Sequence, residues 1–156
     1  MPFSNEITQW ILATTALLSG IISGQMLAIG IANWAARGLP EASWTLRFQL
    51  ENKLFTKTMP PSLIGPTVGI IGTLFLVQGR AFSFMAASAF FTALVLAITM
   101  VYNVPINYQV SAWTAGRAPP TWNIVRDRWL KFHFIRTVAG VIAFGCVVLA
   151  LGLDRG

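Results

Sequence analysis

Charged side chains are scarce in this sequence. Only 10% of the 156 residues are Asp, Glu, Lys or Arg, whereas ordinary soluble domains contain roughly 25%. Hydrophobic residues make up 55% of the chain, and its mean hydropathy is +0.66. This composition excludes an ordinary soluble protein and predicts one integral membrane domain over residues 1–156.

Cysteine and histidine each occur once, as Cys146 and His133. One thiol cannot close a disulfide within the chain or build a cysteine-based metal site, which excludes the membrane thiol–disulfide oxidoreductases. A non-haem iron triad needs two histidines and a carboxylate, so one subunit cannot supply it. We therefore expect no metal site, and the sequence requires no cofactor.

Acidic residues are also few, five against eleven basic ones, which leaves a net charge of +6. The basic residues form no single surface stripe, so we expect no nucleic-acid partner. Most of them lie in two connections between apolar runs, namely Arg37, Arg47, Lys53, Lys57, Arg117, Arg126, Arg128, Lys131 and Arg136. The positive-inside rule then predicts that both connections are cytoplasmic and that both termini lie on the opposite side of an inner or plasma membrane.

Four apolar runs have lengths typical of membrane spans, at about 1.5 Å per residue. They cover about residues 7–34, 61–78, 81–102 and 134–153. Pro60-Pro61 marks the start of the second run, because proline is tolerated in the first turn of a helix. The first run follows no cluster of positive charge, so we expect a retained helix rather than a cleaved signal peptide. No span carries a carboxylate, which disfavours proton-coupled small multidrug transporters.

These patterns predict an all-α fold, a four-transmembrane-helix bundle whose fourth span extends into the cytoplasm. A short amphipathic helix is expected between spans one and two, over Glu41 to Lys57, because aromatic residues recur there at helical spacing. Small residues such as Gly20 and Gly24 allow close helix packing, either within one chain or in a homo-oligomer. Membrane lipids and a lipophilic small molecule are the other expected partners.

Three polar residues in the first third of the chain are candidate binding groups. Arg47 and Glu51 lie four residues apart on the amphipathic helix, as either a solvated ion pair or polar heads that face a site. Gln25 is the one strongly polar side chain at mid-depth in the first span. It either makes a helix–helix hydrogen bond or lines a cavity.

The segment of residues 103–137 concentrates the side chains that can do chemistry. Asn103 and Asn107 are four residues apart, so on a helix they share one face. Pro105 lies between them and can kink the helix end. The two amides either cap the helix and hold the next loop, or offer hydrogen bonds to a ligand.

A stripe of aromatic and basic residues follows at helical spacing: Trp122, Arg126, Trp129, His133 and Arg136. In one interpretation it anchors a helix at the lipid headgroups. The protein is then a non-enzymatic accessory subunit or a lipid-binding protein. In the other interpretation the stripe turns inward and offers stacking surfaces, fixed positive charge and one imidazole to a planar acidic or phenolic ligand.

Several short motifs of this segment resemble the anthrone oxygenase-like family. They are NVPIN at Asn103–Asn107, RxRW at Arg126–Trp129 and IRT at Ile135–Thr137, together with Trp122 and His133. The resemblance implies a four-helix membrane bundle. In the characterised branch of the family it also implies an oxygenase that converts anthrones to anthraquinones with O₂.

The resemblance assigns expected roles to matched positions. His133 is the expected general base, and Arg126, Asn103 and Asn107 complete the catalytic set. Trp122, Trp129 and Arg136 are expected to bind the substrate, together with Gln25, Arg47 and Glu51 if those three face the site. Replacing His133 with glutamine is then expected to abolish turnover. Haem, with His133 as its axial ligand, stays an alternative.

Overall fold

The computed structural model describes the backbone of residues 5–153 and the side chains of 6–59 and 62–153, and all of its regular elements are helical. The predicted all-α class is therefore confirmed for this part of the chain. The elements in chain order are α1 (Asn5–Ala35), a 3₁₀ turn (Ala36–Gly38), α2 (Glu41–Leu74), α3 (Gly79–Ile98), a π turn (Thr99–Asn103), α4 (Val104–Ser111) and α5 (Trp122–Leu153).

Three stretches of the described chain are long and apolar enough to cross a membrane. They are Glu6–Gly38, Gly79–Ser111 and Trp122–Leu153. Their lengths and composition are compatible with an integral membrane protein. The apolar half of α2, which corresponds to the predicted second span, does not belong to this set, so the four-span topology and its sidedness stay predictions.

The predicted helix start at Pro60-Pro61 is wrong, because α2 runs without interruption from Glu41 to Leu74. The amphipathic segment and the second apolar run are two halves of one helix. The prolines remove backbone donors from carbonyl groups one turn earlier. The carbonyls concerned are those of Thr56 and Lys57, and both residues are exposed, so water can donate to them.

Helix α5 lies between α1 and α3 and packs along both of them. Hydroxyl groups tie the helices together at two levels. Ser23 Oγ of α1 donates to the Gly140 carbonyl, and Ser88 Oγ of α3 donates to the Ala143 carbonyl, each at 3.0 Å. Gly20 faces the Phe144 ring of α5, while the space beside Gly24 is open. Gly20 therefore allows close packing between two helices of the same chain.

Gly69 provides a test of the α1–α2 contact. A Cβ atom at Gly69 would lie 3.1 Å from Thr15 Cγ2, whereas one at Gly72 would meet no atom within 4 Å. Both variants replace a glycine of α2 by alanine and gain the same helix propensity. The difference in stability between them therefore reports the clash with Thr15. We expect Gly69→Ala to be less stable than Gly72→Ala by roughly 1–3 kcal/mol, measured by SDS-induced unfolding in mixed micelles. Equal stabilities would contradict this close approach.

A cluster of large apolar side chains joins α2, α4 and α5 at the end of the bundle that holds the loops. It consists of Trp44, Phe48, Ile106, Val110, Trp129 and Leu130. Gln49 of α2 reinforces the cluster by donating to the carbonyls of Val110 and Trp113, at 3.0 and 2.8 Å. The amphipathic half of α2 is thereby held against the segment that carries the candidate site residues.

Candidate functional site

The aromatic and basic stripe of α5 faces the interior of the bundle. Arg126, Trp129 and His133 expose only 9%, 5% and 1% of their surface, and Trp122 is half-buried. Arg128, which belongs to the same helix but not to the stripe, is exposed. The side chains are therefore directed toward other helices rather than toward lipid headgroups.

His133 has a hydrogen-bond partner at each ring nitrogen. Nε2 lies 2.8 Å from the carbonyl oxygen of Met26 on α1, and Nδ1 lies 2.8 Å from Nη2 of Arg136. A carbonyl only accepts and a guanidinium only donates. The partners therefore define a neutral imidazole that carries its proton on Nε2 and accepts at Nδ1.

Packing also fixes the orientation of the His133 ring. The Trp129 ring stacks on it, with ring centroids 4.7 Å apart and planes inclined by 13°. On the α1 side, a Cβ atom at Gly30 would lie 3.3 Å from the imidazole. The glycine thus gives the ring room to reach the Met26 carbonyl.

Arg136 holds a guanidinium against neutral acceptors only. Its Nη1 donates to Thr99 Oγ1 at 3.0 Å, and its Nε and Nη2 face His133 Nδ1. Within the described chain no carboxylate pairs with it. The carboxylates of Glu51 and Asp127 form ion pairs with other arginines. Arg136 is therefore a cation in an apolar bundle without a protein counter-charge, an arrangement that typically marks a functional site.

The two asparagines both contact Trp129. Asn107 Oδ1 accepts from Trp129 Nε1 at 2.8 Å, and Asn103 Nδ2 donates to the Trp129 carbonyl at 3.3 Å. Asn103 is fully buried, and its Oδ1 has no partner among the described residues. Since a buried acceptor without a partner costs about 1–3 kcal/mol, this oxygen is suited to receive a donor from a bound molecule.

The π turn sets the position of the asparagines and of Thr99. The Val104 N–H bonds to the Thr99 carbonyl five residues earlier, and Pro105 follows in the first turn of α4. Turns of this type often occur at functional sites within helices. Here the turn places both the Thr99 hydroxyl and the Asn103 amide against α5.

A second polar group joins α1 to α2. Arg47 and Glu51 form an ion pair, and Asn33 Nδ2 of α1 donates to Glu51 Oε2 at 3.0 Å. Arg47 Nη1 and Asn33 Oδ1 are buried and have no partner in the described structure. The adjacent Phe48 ring packs edge-on against Trp129, with centroids 5.3 Å apart. The aromatic contact therefore links this group to the His133 network.

Arg126 and Gln25 lie outside the network. Arg126 bonds to Asp127 at 2.9 Å and to the Arg37 carbonyl at 2.8 Å, and its guanidinium lies 4.9 Å from the Trp122 ring centroid. Its charge is thus neutralised by a carboxylate. Gln25 is half-buried and makes no hydrogen bond in the described part of the chain.

Three contributors to the site were not predicted: Met26, Asn33 and Thr99. Met26 contributes a backbone carbonyl, for which a sequence has no signal. Asn33 and Thr99 are polar residues near the ends of apolar runs, and this placement could have indicated them as site residues.

Protein atoms enclose His133, which exposes only 1% of its surface. A cavity of about 40 Å³ lies farther along the bundle and has Met26 in its wall, whereas pockets for drug-sized ligands measure roughly 300–1,000 Å³. Haem does not fit, since both ring nitrogens of His133 are engaged and Trp129 covers the ring. In the part of the chain that the structure describes, no group of His, Cys, Asp and Glu is arranged to hold a metal.

Comparison with known proteins supports the family suggested by the motifs. A family model described as anthrone oxygenase matches residues 51–146. Neither the curated proteins nor the solved structures gave a significant match. The matched range holds Glu51, Asn103, Asn107, all of the α5 stripe, and more than half of the chain. The chain therefore belongs to the anthrone oxygenase family, which suggests a membrane-associated, oxygenase-like role.

Proposed function

We propose that the protein is an integral membrane oxygenase that acts with O₂ on a lipophilic, anthrone-like aromatic molecule. The observation that carries this proposal is Arg136, a guanidinium bonded only to the neutral acceptors His133 and Thr99. A charge of this kind is stabilised when a ligand supplies a negative oxygen. An anthrone supplies one when it loses a benzylic proton and becomes an enolate.

The overall reaction needs no external reductant. The benzylic methylene loses two C–H bonds and gains a C=O bond, which removes four electrons from the substrate. The O–O bond of O₂ breaks, one oxygen atom enters the new carbonyl, and the other leaves as water with the two hydrogens. Carbon thus supplies all the electrons that oxygen accepts, and the products are a quinone and water.

Arg136 is the residue that we assign to the enolate oxygen. A fixed positive charge lowers the energy of the enolate relative to the neutral ketone, and we assign the proton to a water molecule that leaves as the site closes. His133 is then a positioning residue, because its Nδ1 holds the guanidinium in place. This role replaces the general-base role expected from the resemblance.

The unpartnered buried atoms supply further contacts for a hydroxylated substrate. Asn103 Oδ1 and Asn33 Oδ1 can accept from phenolic hydroxyls, and Arg47 Nη1 can donate to a carbonyl. We assign no such role to Arg126, since it already pairs with Asp127, a carboxylate that it shares with Arg37.

Substrate entry requires the structure to open. Phe48 of α2, which follows Arg47 in the chain, packs against Trp129 of α5, which Asn103 contacts. We propose that a planar substrate separates these rings and stacks on Trp129 in place of Phe48. Closure around the substrate then excludes water from the reacting centre, as in other enzymes that bind by induced fit.

Turnover in lipid nanodiscs tests the proposal. A hydroxylated anthrone incubated with the purified protein under ¹⁸O₂ is expected to give a quinone with one labelled oxygen, at a rate well above that of empty nanodiscs. Empty nanodiscs are essential because anthrones also oxidise spontaneously. A rate equal to that of the empty discs would contradict the proposal and favour the alternative, a non-enzymatic accessory or lipid-binding protein.

A further inference from the structure

The cavity of about 40 Å³ lies among four helices and apart from the polar network. Residues of α1, α2, α3 and α5 contribute to its wall, among them Ser19, Ile22, Met26, Ile70, Val95 and Gly140. We propose that this cavity is a docking site for molecular oxygen that enters from the lipid bilayer. The proposal rests on the oxygenase function above, for which it identifies a second substrate site.

The chemistry of the wall favours an apolar diatomic gas over water. Nearly all of the surface that faces the cavity is apolar. A buried water typically needs two to four polar partners, and Ser23 Oγ, which already donates to the Gly140 carbonyl, can offer it only an acceptor lone pair. Ser19 Oγ is the one fully buried hydroxyl of the wall that lacks a partner in the described structure. Apolar cavities of this kind stay dry and bind small apolar guests such as xenon.

The position of the cavity suits delivery from lipid to the site. The half-buried residues of its wall are Leu63 and Thr67 of α2, Thr92 of α3 and Gly140 of α5, so the cavity opens toward the outer surface of the bundle. Dissolved oxygen is more concentrated in hydrocarbon than in water. At the other side, Met26 lines the cavity with its side chain and accepts from His133 with its carbonyl. One residue therefore separates the cavity from the network that holds Arg136.

Paramagnetic relaxation by dissolved O₂ tests occupancy without reference to activity. Under oxygen pressure, the methyl groups of Ile70 and Val95 are expected to relax several-fold faster than those of Leu12 and Val147. Leu12 and Val147 are also buried, belong to the same core cluster as Ile70 and do not line the cavity, so general penetration of oxygen affects both pairs alike. Equal enhancement of methyl relaxation by oxygen at the cavity pair and at the reference pair would overturn the proposal.

Gly140→Ala partly fills the cavity and provides the matched variant. Its new Cβ would lie 3.6 Å from Met26 Sδ and 3.7 Å from Ser23 Oγ, ordinary contact distances, and Gly145→Ala on the same helix meets nothing within 4 Å. We expect Gly140→Ala to lower the enhancement at Ile70 and Val95 at least twofold and Gly145→Ala to leave it unchanged.

Kinetics separate this proposal from the proposed function. Gly140→Ala is expected to raise the KM for O₂ at least twofold without changing the KM for the anthrone. Oxygen relaxation at the cavity in a protein without turnover would support the gas site and contradict only the enzymatic role. Turnover with an unchanged KM for O₂ and no selective relaxation would overturn the gas site alone.

Discussion

Arg136→Gln is expected to lower anthrone turnover roughly 100- to 1,000-fold, the usual cost of removing a group that stabilises a developing oxyanion. The same variant is expected to unfold at a temperature no lower than the wild type. Glutamine can still donate to His133 Nδ1, and replacing an uncompensated charge in an apolar site by a neutral side chain is often neutral or stabilising. Turnover and thermal unfolding in nanodiscs measure both effects.

Arg128→Gln is the matched control for this experiment. It removes the same charge from the same helix, but Arg128 is exposed and lies outside the polar network. We expect it to keep wild-type turnover. Arg136→Lys keeps the charge and loses the planar fork of donors, so its turnover should fall between those of wild type and Arg136→Gln. Turnover of a folded Arg136→Gln within about threefold of wild type would contradict the assigned role.

His133→Gln is expected to keep turnover within about tenfold of wild type, with an unchanged pH profile. The glutamine amide can donate to the Met26 carbonyl and accept from Arg136, and so reproduces the two contacts of the neutral imidazole. A general base typically contributes roughly 100- to 10,000-fold, and glutamine cannot act as one. The variant therefore distinguishes a positioning residue from the base that the resemblance suggested.

His133→Leu completes the pair of variants. Leucine leaves the Met26 carbonyl and two guanidinium donors of Arg136 without partners, which we expect to lower stability by roughly 3 kcal/mol. Chemical unfolding in micelles measures this loss. If glutamine lowers turnover as strongly as leucine does and the pH dependence disappears, His133 is the base after all.

Periodicity in the sequence was sufficient for much of the fold and for the membership of the α5 stripe, but it left open whether the stripe faces lipid headgroups or the bundle interior. Apolar runs located α1, α3 and α5, because length and hydropathy decide whether a helix suits a bilayer. Helical spacing grouped Trp129 with His133, and Asn103 with Asn107. It gave the faces of single helices, and the structure shows that those two faces meet at Trp129.

Spacing could not predict partners that are distant in sequence or that belong to the backbone. Arg126 and Arg136 occupy the same stripe, yet one contacts a carboxylate and the other only neutral groups. The carboxylate, Asp127, is the next residue in the chain, but the other partners, the Arg37 carbonyl and the Thr99 hydroxyl, lie on other elements. The partner of His133 is a carbonyl more than one hundred residues earlier. The local proline rule also failed at α2, where the carbonyls that lose their helical donors belong to exposed residues, so water can bond to them and the helix continues.

The π turn at Thr99–Asn103 has a consequence for comparing relatives of this protein. Such a turn accommodates one more residue than the α-helix it interrupts, and each residue rotates a helix by about 100°. Without this turn, the same residues wound as a continuous α-helix would turn α4 by that angle and present a different side chain to Trp129 where Asn107 now lies. In an alignment, a single-residue gap at this place therefore marks a relative that can keep this amide–indole pair on an uninterrupted α-helix.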